Sequence, residues 1–360
     1  MSPARQRKKV AVAMSGGVDS SVTAVLLQEK GYQVFGMTMS LTGFLEGQEP
    51  KTQPVEDARR ICDFLKIPHQ VVDVDEIARS CVVDNFVDEY LNGRTPNPCV
   101  RCNRFVKFGA LFQKAVALGA DYFATGHYAR ICVDRKGFSI RKAKDLSKDQ
   151  SYFLYGVEAS VLPRVLFPLG DMTKQEVRAF AAKRGLPCAQ RPESQDICFV
   201  PEAGYKDFLK RHVGPEALRP GPFKDPQGNV VGAHQGIGLY TIGQRDKLGI
   251  ALGHPVYVYR IDPAANTVFV GPKEYLSAKG LVAVGFQNLG LDLSKGTVDV
   301  AARIRYNAPD VEAQVARLDG DRIEVKFAQP QNAVTPGQSV VFYDEDRLLG
   351  GALIEAPLLD

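Results

Sequence analysis

The 360 residues carry 45 Lys and Arg against 41 Asp and Glu, a formal net charge of +4, and are 45% hydrophobic and 24% charged. This balance excludes a disordered chain and a disulfide-stapled miniprotein, and the length suffices for two or three domains with cores of their own. No apolar run reaches the roughly 18 residues of a membrane-spanning helix, and the basic start (MSPARQRKKV) has no signal-type apolar stretch behind it, so the cytoplasm is the expected compartment.

Residues 9–14 (KVAVAM) predict a short buried strand. Residues 20–30 predict a helix with Val22, Val25 and Leu26 on its inner face, ended by Gly31. A second strand is predicted over 33–39, a helix over 55–66 with Ala58, Ile61 and Leu65 turned inward, and a third strand over 69–74. A fourth, 122–125, runs into Gly126 and His127. Strands alternating with helices predict an α/β, Rossmann-like domain with a parallel sheet covered on both faces, the kind that binds ligands beyond the carboxyl ends of its strands.

Past about residue 205 the helical periodicity fades and Gly and Pro become denser. Short β-like runs follow at 255–261, 267–270, 298–306, 322–327 and 339–343. The expected organisation is an N-terminal α/β domain over 1–204, a small central α+β domain over 205–277 and a C-terminal β-barrel domain over 278–360. Charge is unevenly spread. Residues 101–148 hold eleven Lys and Arg against three Asp and Glu, whereas 278–360 hold eight against twelve. A basic central stretch suits a polyanion; a solvated charged face is the plainer alternative.

Between the first strand and the first helix stands Ser15-Gly16-Gly17-Val18-Asp19-Ser20-Ser21. Two glycines there allow backbone N–H groups to converge on an anion, and the helix that follows adds its N-terminal N–H groups and dipole. The serines can add hydroxyl donors, and Asp19 can hold Mg²⁺. The segment is neither a Walker A loop nor the dinucleotide fingerprint; it is similar to the loop of the ATP-pyrophosphatase (PP-loop) group, which cleaves ATP to AMP and pyrophosphate.

Of the seven cysteines, Cys99 and Cys102 form a C-x-x-C in a Pro-fixed loop leading into a basic helix expected to start near Asn103. Arg101, Arg104 and Lys107 would favour a thiolate there. Taken alone, the pair is open between a redox couple, half a zinc site and a cluster site. Cys198 stands in ESQDICFV. Cys62, Cys81, Cys132 and Cys188 have apolar neighbours and read as inert.

Together these segments resemble the tRNA-specific 2-thiouridylase family nearly end to end: SGGVDSSV at 15–22, GRTPNPC at 93–99, Cys102-Asn103, ATGHYAR at 124–130, KDQSYFL at 148–154, FPLGD at 167–171, ESQDICFV at 193–200, YTIGQR at 240–245 and VTPGQSV at 334–340. The resemblance implies an enzyme that adenylates the C2 oxygen of the wobble uridine of tRNA and replaces it with sulfur. It implies ATP on Ala13, Met14, Ser15, Gly16, Gly17, Val18, Asp19 and Ser20, with Met39 and Gly126 beside the adenosine. Asn97, Pro98 and Cys99 would face the target base. Cys102 would be the nucleophile and Cys198 the persulfide carrier, the two forming a disulfide during the cycle. His127, Lys148, Asp149, Gln150, Arg305, Tyr306 and Gln338 would contact tRNA. Implied partners are tRNAs of the Lys, Glu and Gln type and an upstream cysteine desulfurase or sulfur relay.

One departure bears on mechanism. Some members carry Asp where this chain has Cys99, and that Asp is their favoured acid/base. Cys99 either lines the pocket or joins Cys102 and Cys198 in an iron–sulfur cluster with one open iron. Two other readings compete: a small-molecule synthetase of the same ATP-cleaving group, which has no need of the cysteine set, and a non-catalytic tRNA-binding or iron-sensing protein.

Overall fold

The computed structural model describes residues 7–41, 52–135, 137–192, 197–294 and 296–359. Residues 1–6 and the Glu193, Ser194, Gln195 and Asp196 that open the ESQDICFV motif lie outside the described residues. The chain forms two compact units: Met1–Val82 with Cys99–Gln195 and Asp346–Leu348, and Val83–Pro98 with Asp196–Glu345 and Leu349–Asp360.

In the first unit, strands β1 (Lys9–Ala13), β2 (Gln33–Ser40) and β3 (His69–Asp73) alternate with helices α1 (Val18–Glu29) and α2 (Gln53–Leu65). Strand β4 (Tyr122–Ala124) follows. A hairpin of β5 (Arg130–Asp134) and β6 (Gly137–Arg141) and the two-residue β7 (Val165–Leu166) come after it. Among the described residues one sheet has the order β3-β2-β1-β4-β7, with every pairing parallel. The order reverses between β1 and β4, and a doubly wound sheet opens a ligand crevice at such a point, outside the strands' carboxyl ends. Val10, Ala11 and Val12 of β1 are fully buried, as a strand covered on both faces requires.

Helix α1 departs from the predicted pattern. It begins at Val18, two residues earlier, and buries Val18, Ser20, Ser21, Val22, Thr23, Ala24, Val25 and Leu27, while Leu26 is only partly buried. It packs against β1, β2 and the helix Lys174–Lys183, so no single inner face exists. Its small Ser, Thr and Ala side chains let these neighbours close in.

The basic helix also starts earlier than expected. Helical structure runs from Pro98 through Pro98–Arg101, a π-wound stretch Cys102–Leu111 and Phe112–Ala117. Proline's fixed φ and missing N–H suit the first helical position. A π winding of this kind recurs at functional sites.

The second unit contains the helices Asp84–Leu91 and Tyr205–His212. Phe86 meets Phe199 and Phe208 edge-on, and Tyr90 stacks on Tyr205 at 4.5 Å. A four-stranded sheet joins β8 (Gly221–Lys224), β9 (Val230–His234), β10 (Tyr257–Asp262) and β11 (Thr267–Gly271) in the order β10-β11-β8-β9.

The closed barrel uses β12 (Ser277–Asn288), β13 (Val298–Arg303), β14 (Val311–Arg317), β15 (Ile323–Asn332), β16 (Ser339–Asp344) and β17 (Arg347–Leu358). Their order is β12-β15-β14-β13-β16-β17, and β17 pairs back onto β12 to remove the edge. Leu281, Val315, Val325, Val340, Phe342 and Ile354 fill the interior, each fully buried. The strand predicted over 298–306 stops at Arg303, and Arg305 and Tyr306 form a turn closed by Ala308 N–H to Arg305 C=O at 3.0 Å. Pro309 just beyond could not donate to a ladder.

Candidate active site

The phosphate loop joins β1 to α1 at the sheet's reversal point. Gly16 has φ +73°, and a Cβ there would stand 2.5 Å from Asp57 Cβ, so glycine serves both the conformation and the close approach of α2. The serines shape the loop. Ser15 N–H donates to Ser20 Oγ at 3.2 Å, and Gly17 N–H to Ser15 Oγ at 3.3 Å. The hydroxyls of Ser20 and Ser21 donate to Gly17 C=O at 3.2 and 2.7 Å. In a trans peptide the C=O and N–H point opposite ways, so holding Gly17 C=O fixes the direction of Val18 N–H. Arg191 does the same on the other side: it donates to Gly16 C=O at 3.2 Å and pairs with Asp57 at 2.6 Å. Ser15 and Gly17 N–H are thus taken up within the loop, and with the Gly16 and Gly17 carbonyls also held the loop has one fixed shape at the N-terminus of α1, and helix N-termini of this kind favour phosphate.

Asp19 lies in the first turn of α1. Lys174 Nζ reaches both its carboxylate oxygens at 2.8 Å, and Tyr128 OH donates to Oδ1 at 2.9 Å. Gly126, just past β4, packs on this turn so tightly that a Cβ would stand 2.9 Å from Asp19 C and Ser20 N. Ala13 and Met14 close the end of β1, and half-buried Met39 lies near the end of β2, two residues past Met37, the register partner of Ala13. The loop residues 13–20, Met39 and Gly126 thus gather at the carboxyl ends of β1, β2 and β4.

His127 is buried. Its Nδ1 faces Thr125 Oγ1 at 2.6 Å, its Nε2 faces Lys107 Nζ at 3.4 Å, and the rings of Phe108 and Phe167 enclose it. Burial, and then the Lys107 charge, hold its pKa well below the ordinary value, so the ring is neutral at pH 7. Lys148 ends a turn closed by its N–H to Asp145 C=O at 3.0 Å, and Asp149 and Gln150 follow it. Asp149, 3% exposed, accepts from Ala143 N–H, Ser151 N–H and Ser151 Oγ at 3.0, 3.2 and 2.7 Å. Gln150 brackets Tyr128, taking its N–H at 3.0 Å and donating to its C=O at 2.8 Å.

Cys99 is exposed and Cys102 half-exposed on the helix that starts at Pro98. Beside Cys102, the guanidinium groups of Arg101 and Arg104 each lie 5.1 Å from the Phe105 ring. Cys198, in the second unit, is exposed. Cys62 and Cys188 are buried, and burial pushes the Cys62 thiol up to about 12; Cys81 and Cys132 are partly exposed. Among the described residues no group of three or more His, Cys, Asp or Glu gathers to hold a metal ion.

The second unit shapes the segment before Pro98. Gly93, at φ +66°, ends the helix Asp84–Leu91, with Gly93 N–H to Tyr90 C=O and Arg94 N–H to Glu89 C=O both at 2.9 Å. Arg94 also pairs with the buried Glu89. Thr95 N–H donates to Pro336 C=O at 2.8 Å, and Gln338 Nε2 donates to the carbonyls of Thr95 and Pro96 at 2.9 and 3.2 Å. The structure thus brings Gln338 to Thr95 and Pro96, the residues just before Asn97, while Arg305 and Tyr306 occupy the turn after β13, with Arg305 donating to Asn332 C=O at 3.3 Å.

The sequence did not single out Tyr128, Lys174, Arg191 or Asp57. Tyr128 stands inside the motif 124–130, whereas Lys174 is 155 residues from Asp19 and only the fold unites them.

A parallel sheet with a glycine–serine loop and a helix N-terminus at its reversal point is the architecture of an α/β nucleotide-binding protein. Residues 8–202 match a family described as the tRNA methyl transferase HUP domain, 206–272 the tRNA methyl transferase PRC-barrel domain and 279–354 the aminomethyltransferase beta-barrel domain. The chain is 47% identical to the tRNA-specific 2-thiouridylase MnmA of Carboxydothermus hydrogenoformans, covering 98% of this chain and 99% of that one. It is 48% identical to MnmA 1 of Syntrophus aciditrophicus (98% and 94%) and 46% identical to MnmA of Geobacter metallireducens (99% and 99%). The chain belongs to the tRNA-specific 2-thiouridylase family, and it is an ATP-using sulfurtransferase of tRNA.

Proposed function

We propose that the enzyme adenylates the C2 oxygen of the wobble uridine of tRNA and replaces it with sulfur carried as a persulfide on Cys198. The C2 oxygen attacks the α-phosphorus of ATP, the bond to the β-phosphate oxygen breaks, and pyrophosphate leaves. The N–H groups and dipole of the α1 N-terminus, directly after the loop, would stabilise the charge that develops on the phosphates. A hard cation such as Mg²⁺ would be held by the Asp19 carboxylate, which is 34% exposed and has lone pairs beyond those that face Lys174 and Tyr128, and it would supply further charge neutralisation. The terminal sulfur of the Cys198 persulfide then attacks C2, and the C–O bond breaks with AMP as leaving group. Cys102 thiolate attacks the Cys198 sulfur, so the two thiols are oxidised to a disulfide as the transferred sulfur is reduced, and 2-thiouridine is released. A cellular thiol would reduce the disulfide, and a cysteine desulfurase or sulfur relay would recharge Cys198.

Asn97, Pro98 and Cys99 would face the flipped uridine, whose extrusion costs roughly a few kcal/mol. Lys148, Asp149 and Gln150, His127, Arg305, Tyr306 and Gln338 are assigned to tRNA, with His127 acting from beneath the surface. The segments 1–204, 205–277 and 278–360 are assigned to chemistry, tRNA contact and barrel support. The setting is cytoplasmic; among the described residues no helix is long and apolar enough to cross a membrane.

What supports this most is the 47–48% identity over 98% of the chain with proteins named tRNA-specific 2-thiouridylase, on a fold that sets the glycine–serine loop at the reversal point of its parallel sheet. Metal-stripped protein should convert unmodified tRNA of the Lys, Glu or Gln type to thiouridine with ATP, Mg²⁺ and a persulfide source, read by nucleoside mass spectrometry. Cys102→Ser and Cys198→Ser should abolish it. A requirement for anaerobic iron and sulfide would replace the persulfide route with a cluster on Cys99, Cys102 and Cys198, and no thiouridine under any condition would end the thiolation reading.

A further inference from the structure

Tyr128 has no role in the reaction above, yet its side chain and its backbone are both fixed. It is 3% exposed. Its hydroxyl holds Asp19 Oδ1 at 2.9 Å, and its backbone is gripped on both sides by Gln150, at 3.0 and 2.8 Å. A second path joins the same two places. Lys174 Nζ binds both oxygens of Asp19 at 2.8 Å, while Lys174 N–H donates to Asp145 Oδ2 at 2.9 Å. Asp145 C=O in turn accepts Lys148 N–H at 3.0 Å, and its Oδ1 takes the Ser147 hydroxyl at 2.6 Å. The Lys174 ammonium also sits 5.5 Å from the Tyr128 ring centroid. A closed circuit therefore runs from Asp19 through Tyr128 to Gln150, and from Asp19 through Lys174 and Asp145 to Lys148. Asp149, buried just after the turn, accepts three hydrogen bonds that hold the segment to Ala143 and Ser151.

We propose that Tyr128 is a positioning residue that ties the segment 148–150 to the phosphate loop, with Asp145 and Lys174 as a parallel tie, so that tRNA at this segment and ATP at the loop strengthen each other's binding. This rests on the assignment of the segment to tRNA. Asp19 occupies the first turn of α1, directly after the loop 15–17, so holding its carboxylate restrains the helix N-terminus where the phosphates of ATP are assigned. Contact with a nucleic-acid backbone at Lys148 or Gln150 restrains the segment, both ties transmit the restraint to Asp19, and the loop is held in its receiving form. Coupling of this kind is reciprocal: ATP must tighten tRNA by the same factor. Proximity along the circuit is not itself coupling, so a two-site variant cycle is the proper test.

The dissociation constant of α,β-methylene-ATP, which cannot be cleaved at the α–β bond, is measured by calorimetry with and without saturating unmodified tRNA. The tRNA constant is measured with and without the analogue. Wild-type protein should show the same ratio in both directions, at least about fivefold. Tyr128→Phe keeps the ring and removes the hydroxyl bond, and Asp145→Asn weakens the second tie. Each should lower the ratio, and the double variant should bring it close to one. A merely structural role would weaken both ligands and leave the ratio unchanged, which would overturn the proposal, as would a ratio of one in the wild type. If the double variant fails to fold, hydrogen exchange of wild-type residues 15–21 decides: protection on adding tRNA alone supports the tie, and no change refutes it. Failure of the wild type to bind tRNA at all would instead remove the tRNA assignment itself.

Discussion

Gln338 donates its side-chain amide to the carbonyl of Thr95 at 2.9 Å, across 243 residues of sequence. A second bond to Pro96 C=O at 3.2 Å makes the amide a clamp on the segment that precedes Asn97 and Pro98. Gln338→Ala leaves two carbonyls without this donor and should cost about 1–2 kcal/mol in urea unfolding. Gln338→Glu puts an acceptor against two acceptors and should be worse. The ranking wild type, Ala, Glu should hold in stability and in kcat/KM for thiouridine formation.

Gly126 bears on ATP. A Cβ there meets the Asp19 and Ser20 backbone at 2.9 Å, and neither can swing aside as a side-chain tip would. Gly126→Ala should displace the first turn of α1 and raise the KM for ATP by about tenfold or more, equivalent to roughly 1.4 kcal/mol. Gly16→Ala adds left-handed strain and a 2.5 Å clash with Asp57, so it should also lower the thermal midpoint, read by calorimetry.

His127 gives a pH dependence with a definite sign. Its folded pKa lies well below the ordinary value because it is buried next to Lys107. Above about pH 6.5 both folded and unfolded forms are neutral, and the group has no pH effect. Below that the unfolded chain takes up a proton that the folded one refuses, so stability falls with pH by up to about 1.4 kcal/mol per unit until the folded ring titrates. Denaturant unfolding from pH 7.5 to 5.5 should show this fall, and it should be shallower in His127→Asn.

The cysteines should divide by exposure. Cys99 and Cys198 are exposed, whereas Cys62 and Cys188 are buried and the Cys62 thiol is pushed up to about 12. Timed iodoacetamide labelling at pH 8, read by peptide mass spectrometry, should modify Cys99 and Cys198 first and Cys62 last. Cys62→Ala should leave thiouridine formation intact.

The α/β half was legible in the sequence because its signals are local. Buried strands such as 9–14 and a glycine–serine turn before a helix announce themselves within a few residues. The barrel was less so. Strand β12 carries Gly280 and Gly285 and shifts register against both neighbours, which breaks the alternation that marks a strand. Gly280 is there because a Cβ would come within 2.3 Å of Val325 C=O. The motifs pointed to the loop and the cysteines, but not to the groups that hold the loop. Lys174, Arg191 and Asp57 carry charges with no motif around them, and their role appears only once the sheet has brought distant segments together.

The most direct test of adenylation follows the uridine oxygen. Unmodified tRNA bearing ¹⁸O at C2 of the wobble uridine is converted with ATP, Mg²⁺ and a persulfide source, and the AMP is analysed by mass spectrometry. If the C2 oxygen leaves on the α-phosphorus, AMP gains one ¹⁸O for each thiouridine formed. AMP without label, with the ¹⁸O recovered in water or pyrophosphate, would contradict it.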